Sequence, residues 1–350
     1  MSLHEFYKSH NVELAPDGIP LRAYDLEKEY DTALNGAIVL DRSHEARIKL
    51  TGKSRFELLN RMSTNDTVNL KTGQGAPTIF TTPNARIIDR VMVVNDTDDS
   101  LLLLGGPGRG QAIHDYLKRN IFFNDDVQLA DFMQETVQFA LHGPQADAIL
   151  AHFGEDMADM PLFSSKHLLI ADVEVMVIRV KPFVDTHFAI IVPEAGAVDV
   201  LRRLIDAGAM LAGSLTYNTL RIRAGVPGTG RELSQEYIPL EVGLWDEISF
   251  NKGCYTGQEI IARMESRNKL ARTIVRLQLD SYINAPTELT RDGKPAGRLT
   301  SSVQAPDGEI FAMGIVKTAL AEAGMTLTCR DSDVNADVVE LLGVQSLERA

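Results

Sequence analysis

Apolar and polar residues alternate through "ARIKLTG", Ala46–Gly52, with the period of a half-buried strand. The next stretch, "KSRFELLNRM", places Phe56, Leu58, Leu59 and Met62 at helical spacing. Together with "AIVLD" before them, residues 37–62 predict strand, strand, helix. "TIFTTPNARIIDRVMVVNDTDDSLLLL" predicts three strands separated by turns at "TPNA" and "NDTDD". "GQAIHDYLKRNIFF" then predicts a helix, and "DVQLADF" and "TVQFALHG" predict strands. Helix and strand patterns continue through "AGAVDVLRRLIDAGAM" and "SLTYNTLRIRAG". Strands arrive in pairs rather than one per helix, so the fold class is α+β. From Thr273 the texture changes to short alternating runs broken by Gly, Pro and Asp: "TIVRLQLD", "TELTRDGKPAGRLTSSV" and "FAMGIVK". That pattern predicts an all-β barrel domain over 273–350, following an α+β region over 1–272.

A chain of 350 residues, 44% hydrophobic and 24% charged, has ample material for a globular core. At about 100–200 residues per domain it holds two or three domains. No run approaches the roughly 18 apolar residues of a membrane span, and "MSLHEFYKSHNVEL" lacks the apolar segment of a secretory signal. These features predict a cytoplasmic protein without a membrane partner. A formal charge of −13 disfavours binding to nucleic-acid phosphates. "GGPGRG", Gly105–Gly110, fits neither glycine-rich phosphate motif and reads as a strand-to-helix turn.

The chain has only two cysteines, Cys254 and Cys329, with no CxxC and no HExxH. That spacing excludes a disulfide framework and a zinc ribbon. A metal or cluster held through Cys254 and an outside partner stays open. Cys254 lies in "NKGCYTGQEIIAR", where Thr256 and Glu259 have capping-box spacing, so a helix is expected to start near Gly257 with Thr256 as N-cap. A helix N-terminus favours a thiolate just ahead of it, and Lys252 adds positive charge. Gly253 and Gly257 would let the loop turn sharply. Two readings stand: a reactive or ligating thiol, and a buried cysteine in a glycine-rich turn. Between Lys252 and Arg276, six cations (Lys252, Arg263, Arg267, Lys269, Arg272, Arg276) face Glu259 and Glu265. The excess suits either a solvated face or an anionic ligand tail. Cys329, in "LTCRD", reads as packing within a barrel strand, and Asn65 and Asp66 as a helix-end turn.

"KGCYTGQEIIAR" resembles the signature of the YgfZ proteins, relatives of the glycine-cleavage T-protein, an aminomethyltransferase. "GAIVLDRSHEARIKLTGKSRFELLNRMSTNDTVNL" resembles the N-terminal block of that family. "LHGPQADAIL" resembles its "LQGP" segment, and "LRIRAGVPGTGREL…IPLEVGL" the stretch before the cysteine motif. "GKPAGRLTSS" with "AMGIVK" resembles the C-terminal barrel. The resemblance implies a three-lobed, cloverleaf-like fold, two lobes before residue 273, with tetrahydrofolate in a central channel. It implies a folate-dependent role in iron–sulfur cluster assembly or repair, with assembly proteins or client enzymes as partners. The T-protein instead transfers an aminomethyl group from a lipoyl carrier to tetrahydrofolate.

The T-protein has an acidic pair in a pattern like G-G-x-x-D-D. Here "NARIIDRV" matches the first acid with Asp89 and puts Arg90 at the second. A guanidinium cannot accept a proton and repels a cationic intermediate, which argues against aminomethyl transfer. The pterin-binding acid lies in a "GYTGEDG"-like segment, and Asp185 of "RVKPFVDTHFAI" falls at its place. A hairpin-turn aspartate is the alternative. Arg221 and Arg223 are candidates for the folate glutamate or for internal salt bridges. The resemblance further implies that Tyr255, Gln258, Glu259, Arg263 and Asp89 complete the folate-contacting set. Cys254 and Lys252 would be the functional pair, Cys254 ligating cluster iron or attacking a folate-bound one-carbon unit. A folate-dependent one-carbon transferase or demethylase is the alternative function, and a scaffold that has lost its ligand is a third.

Overall fold

A computed structural model of the chain describes residues 1–154, 156–267 and 270–343. Lys269, counted above among the cations, and the last seven residues of the expected barrel domain lie outside these. The architecture is α+β, and the chain divides into two compact units. The first comprises Met1–Leu58, Thr67–Pro77 and Val91–Leu220; the second comprises Leu59–Asp66, Thr78–Arg90 and Arg221–Ala350.

In the first unit, a six-stranded sheet runs in the order Ser165–Ile170, Val173–Arg179, His187–Pro193, Thr136–His142, Ile38–Asp41, Met210–Ala212. Every pair is antiparallel except the last, where Met210–Ala212 lies parallel to Ile38–Leu40. The helix Ala197–Asp206 covers this sheet with Ala197, Val198, Val200, Leu201 and Leu204, five residues on one stripe. The strands Ser100–Pro107, Glu45–Thr51 and Gln128–Asp131 lie side by side in a second sheet. Met92, Val94, Leu102 and Leu104 form one apolar cluster with Met176, Ile178, Ala189 and Ile191 of the six-stranded sheet.

The strand Glu45–Thr51 departs from simple alternation, because Arg47, a nominal solvent position, is only 1% exposed. Its guanidinium donates to the hydroxyl and carbonyl oxygens of Thr136 (3.1 and 3.0 Å) and to the carbonyls of Glu45 and Ser43 (2.9 and 3.1 Å). Burial lowers its pKa to about 10, so it stays charged. Four acceptors offset the desolvation that would otherwise exclude a buried guanidinium.

In the second unit, six antiparallel strands close a barrel in the order Arg272–Leu279, Ile310–Lys317, Lys294–Gln304, Thr287–Arg291, Thr326–Cys329, Asn335–Leu341. Closure removes the exposed edges that so short a sheet would present. Cys329 sits fully buried in the barrel core beside Leu327 and Leu289, and burial raises its thiol pKa. Packing is its role.

Two expected boundaries move. The turn at "NDTDD" contracts to Asp98 and Asp99, because the strand Ile87–Thr97 continues through its polar end. The helix over "GQAIHDYLKRNIFF" stops at Lys118, where the Asn120 side chain donates to the Tyr116 carbonyl at 2.7 Å and satisfies an end group. "GGPGRG" is the turn between Ser100–Pro107 and Gly110–Lys118. No helix among the described residues is long and apolar enough to cross a membrane.

Candidate functional site

The cysteine loop lies in the second unit and is pinned on both sides of the thiol. Lys252 donates its ammonium to the carbonyls of Ser63 (2.9 Å) and Asn65 (2.5 Å). The Thr256 amide donates to the Arg61 carbonyl at 3.1 Å, and the Thr81 hydroxyl donates to the Thr256 carbonyl at 2.6 Å. Between these anchors Tyr255 turns into the apolar core with Ile261 and Leu240, 7% exposed, and burial pushes its phenol up to about 12. Cys254, the residue before it, is exposed. The arrangement presents one thiol to solvent from a backbone held by its neighbours. That decides against the buried-cysteine reading.

Two expectations about this loop are corrected, the capping role of Thr256 and the sharp turn at Gly253. Lys252 makes no hydrogen bond to Cys254: two of its three protons go to carbonyls, and burial lowers its pKa to about 8, with Asp66 opposing the fall. It is an anchor, still charged at neutral pH. The helix begins at Gln258, one residue past the expected Gly257, and the Thr256 hydroxyl lies 4.0 Å from the Met62 sulfur and makes no capping bond among the described residues. Gly253 has open space around its α-carbon and needs no special backbone, whereas Gly257 has φ +86°. A β-carbon on Gly257 would meet the Thr81 hydroxyl at 2.8 Å and the Thr82 carbonyl at 2.9 Å.

Gly257→Ala is therefore expected to destabilise the protein by about 2 kcal/mol or more, combining left-handed strain with a backbone clash. A denaturant titration checks this, with Gly253→Ala, expected within about 0.5 kcal/mol of wild type, beside it.

Glu259 and Arg263 are exposed and pair only loosely with each other, 3.7 Å apart, one helical turn away. Gln258 is partly buried at the helix start, its amide bonded to the Tyr255 carbonyl at 3.2 Å. Asp89 is 2% exposed and accepts from the Arg90 amide at 2.8 Å. Arg90 itself grips Glu247 in a bidentate pair, with Nε 2.8–2.9 Å and an amino nitrogen 2.6 Å from the carboxylate oxygens. Glu247 lies in no recognisable sequence motif. The one signal pointing to it was the need of a half-buried arginine for a partner.

Arg221 is buried in an internal network. It lies 3.5 Å from the Glu232 carboxylate and donates to the Val226 carbonyl (2.8 Å) and the Ser301 hydroxyl (3.2 Å). Arg223 accepts through its carbonyl from Arg276 (2.8 Å) and stacks over Phe311, 5.8 Å from the ring centroid.

Asp185 belongs to the first unit. It is exposed in the connection between Val173–Arg179 and His187–Pro193, and one of its oxygens accepts from the Thr186 hydroxyl at 3.1 Å. The other oxygen has no partner among the described residues. Half-buried Phe183 lies two residues away, against His142 and His187. An outward carboxylate beside an aromatic face suits a planar ligand with adjacent N–H groups. Among the described residues, no three His, Cys, Asp or Glu side chains are grouped to hold a metal ion.

The chain is 33% identical, over 97% of its length and 79% of the relative's, to a chloroplastic protein of Arabidopsis thaliana named provisionally as a transferase. It is 27% identical to an aminomethyltransferase of Thermoanaerobacter sp. strain X514, over 79% of this chain and 77% of that one. The crystal structure of the glycine cleavage aminomethyltransferase T from Bartonella henselae superposes with a TM-score of 0.88, covering 98% of this chain and 97% of that one at 23% identity. The fold is that of the T-protein. The model of the GCVT N-terminal domain matches residues 18–252, and the chain belongs to that family.

Proposed function

We propose that this protein binds a reduced folate and uses Cys254 in the assembly or repair of iron–sulfur clusters, as a member of the YgfZ branch of the family. The observation that carries the reading is the exposed thiol on an anchored loop, together with the engagement of Arg90 by Glu247. The position that would need a free carboxylate for aminomethyl transfer holds a neutralised guanidinium instead.

Asp185 would accept from the adjacent N–H groups of the pterin, and Phe183 would offer it an apolar face. Tetrahydrofolate, when bound, supplies a carrier for one-carbon units. The chain's own contribution lies in the thiol: Cys254 would ligate an iron of a cluster in transit, the remaining ligands coming from the protein that delivers or receives it. Lys252 and Thr256 keep the thiol outside the core.

In cells lacking the protein, Cys254→Ser is expected to reduce cluster-enzyme activity to the level of an empty vector. Lys252→Ala is expected to give a partial loss, because it frees the loop rather than removing the thiol. Unchanged activity in both variants would overturn the reading.

A second reading, a folate-dependent one-carbon transferase or demethylase, is favoured by the name of the Arabidopsis relative. It requires turnover of a methylated or aminomethylated substrate and loss of that turnover in Asp89→Asn.

A further inference from the structure

Three departures from the family segments meet at one place in the first unit. His142 stands at the glutamine of "LQGP". With Asp185 laid on the glutamate of "GYTGEDG", Phe183 stands at the threonine and His187 at the last glycine. Their rings stack. His142 and His187 lie 3.5 Å apart at 27°, and Phe183 lies 5.2 Å from His142 at 25°. Tyr217 closes the group with edge contacts of 5.0 Å to Phe183 and 5.8 Å to His142. His142 is fully buried, and neither of its ring nitrogens has a hydrogen-bond partner among the described residues.

The stack carries the loop that holds Asp185. His187 receives the Val180 amide on its carbonyl (3.0 Å), and its Nδ1 lies 3.3 Å from the Lys181 carbonyl. The Thr186 carbonyl accepts from Gly143 (3.0 Å), next to His142, and the Thr186 hydroxyl lies between the carboxylates of Asp147 (3.2 Å) and Asp185 (3.1 Å). We infer that His142 and His187 are the positioning residues for the Asp185 carboxylate, their stacked rings fixing the loop from beneath through Phe183. The inference rests on the reading of Asp185 as a folate contact.

Two stacked rings this close accommodate no charge. Arg42 faces them from the turn after Ile38–Asp41, over the Tyr217 ring at 3.7 Å and held by Glu45 at 2.6 Å. Asp41 lies near Arg42 and is bound by the Tyr7 hydroxyl at 2.8 Å. Asp147 and Asp185 reach Thr186, and among the described residues no carboxylate hydrogen-bonds either imidazole. Burial and Arg42 hold His187 down to about 3, and burial, His187 and Arg42 hold His142 well below its ordinary value. Both folded-state values are depressed. The stack's contribution is therefore complete above pH ~6.5 and is lost as pH falls toward the folded values. Each ring released on opening multiplies the open population about tenfold per pH unit below 6.5.

The test measures amide exchange of residues 180–187 between pH 8 and 5, corrected for intrinsic rates, with anaerobic tetrahydrofolate titrations. In the wild type, protection should fall about tenfold or more per pH unit below pH 6. His142→Phe keeps a ring in the stack and should lose about tenfold per unit from that slope. His187→Gly should lose both protection and affinity. Equal slopes in wild type and His142→Phe would overturn the inference, as would wild-type affinity in His187→Gly where Asp185→Ala binds weakly. Wild-type affinity in Asp185→Ala would instead sink the folate reading of this loop, leaving the slopes to judge the stack. Should His187→Gly not fold, the His142→Phe slope decides alone.

Discussion

Arg90→Asp, the substitution that rebuilds the acidic pair of the T-protein, is expected to destabilise the protein by about 3–5 kcal/mol without creating aminomethyl transfer. The cost follows from Glu247, whose side chain is 9% exposed and whose two oxygens are gripped by the guanidinium at 2.6–2.9 Å. The aspartate would leave that carboxylate buried without a counter-charge among the described residues and set another beside it, next to buried Asp89. At about 2.1 cal/mol/K of unfolding entropy per residue, a 350-residue chain shifts by about 1.4 °C per kcal/mol, so the thermal midpoint should fall by roughly 4–7 °C. Replacing both partners, Arg90→Met with Glu247→Met, should recover most of the loss, since an apolar pair of similar volume removes the stranded charge. Loss of less than about 1 kcal/mol in Arg90→Asp would mean that the pair is solvent-screened and structurally idle. Turnover of an aminomethylated lipoyl donor by Arg90→Asp would mean that this one side chain is all that separates the chain from a T-protein.

Arg90 also marks how far the sequence could be read. Its mismatch with the acidic pair was visible in eight residues, but its partner lies 157 positions away, in "WDEIS", which carries no motif. Local patterns transferred well wherever their cause was local. The strands Ile38–Asp41 and Glu45–Thr51 and the helix after them follow from periodicity, and the barrel strands from alternation broken by Gly, Pro and Asp. Partners distant in sequence, which no local pattern shows, hold Lys252 and Thr256. Lys252 lies two residues from Cys254, and its protons go to the carbonyls of Ser63 and Asn65, almost 190 residues distant. Thr256 has the spacing of a cap, yet its backbone is held by Arg61 and Thr81 and its hydroxyl turns to Met62. His142 and His187 are not legible in the sequence, because a lone histidine has no pattern. Only the antiparallel pairing of Thr136–His142 with His187–Pro193 puts the two opposite each other.

Arg221→Met is expected to cost as much as Arg90→Asp, about 3–5 kcal/mol, and for the same reason. Glu232 is fully buried, and its other contacts are the Gly228 amide at 2.8 Å and the Ser301 hydroxyl at 2.8 Å, neither of which carries charge. The guanidinium 3.5 Å away neutralises it and ties Val226 and Ser301 together, filling the space where a β-carbon on Gly228 would come within 2.9 Å. Arg221→Lys keeps the charge and gives up the fork, so a loss of about 1–2 kcal/mol is expected from the missing hydrogen bonds. Chemical denaturation of the two variants measures these losses, and tetrahydrofolate titration of the folded fraction separates structure from ligand contact. A residue that grips the folate glutamate would lose affinity in Arg221→Lys at nearly unchanged stability. A residue that neutralises Glu232 loses stability and keeps its affinity within about threefold, under 0.7 kcal/mol. The burial of both partners predicts the second pattern, and the first would return Arg221 to the binding site.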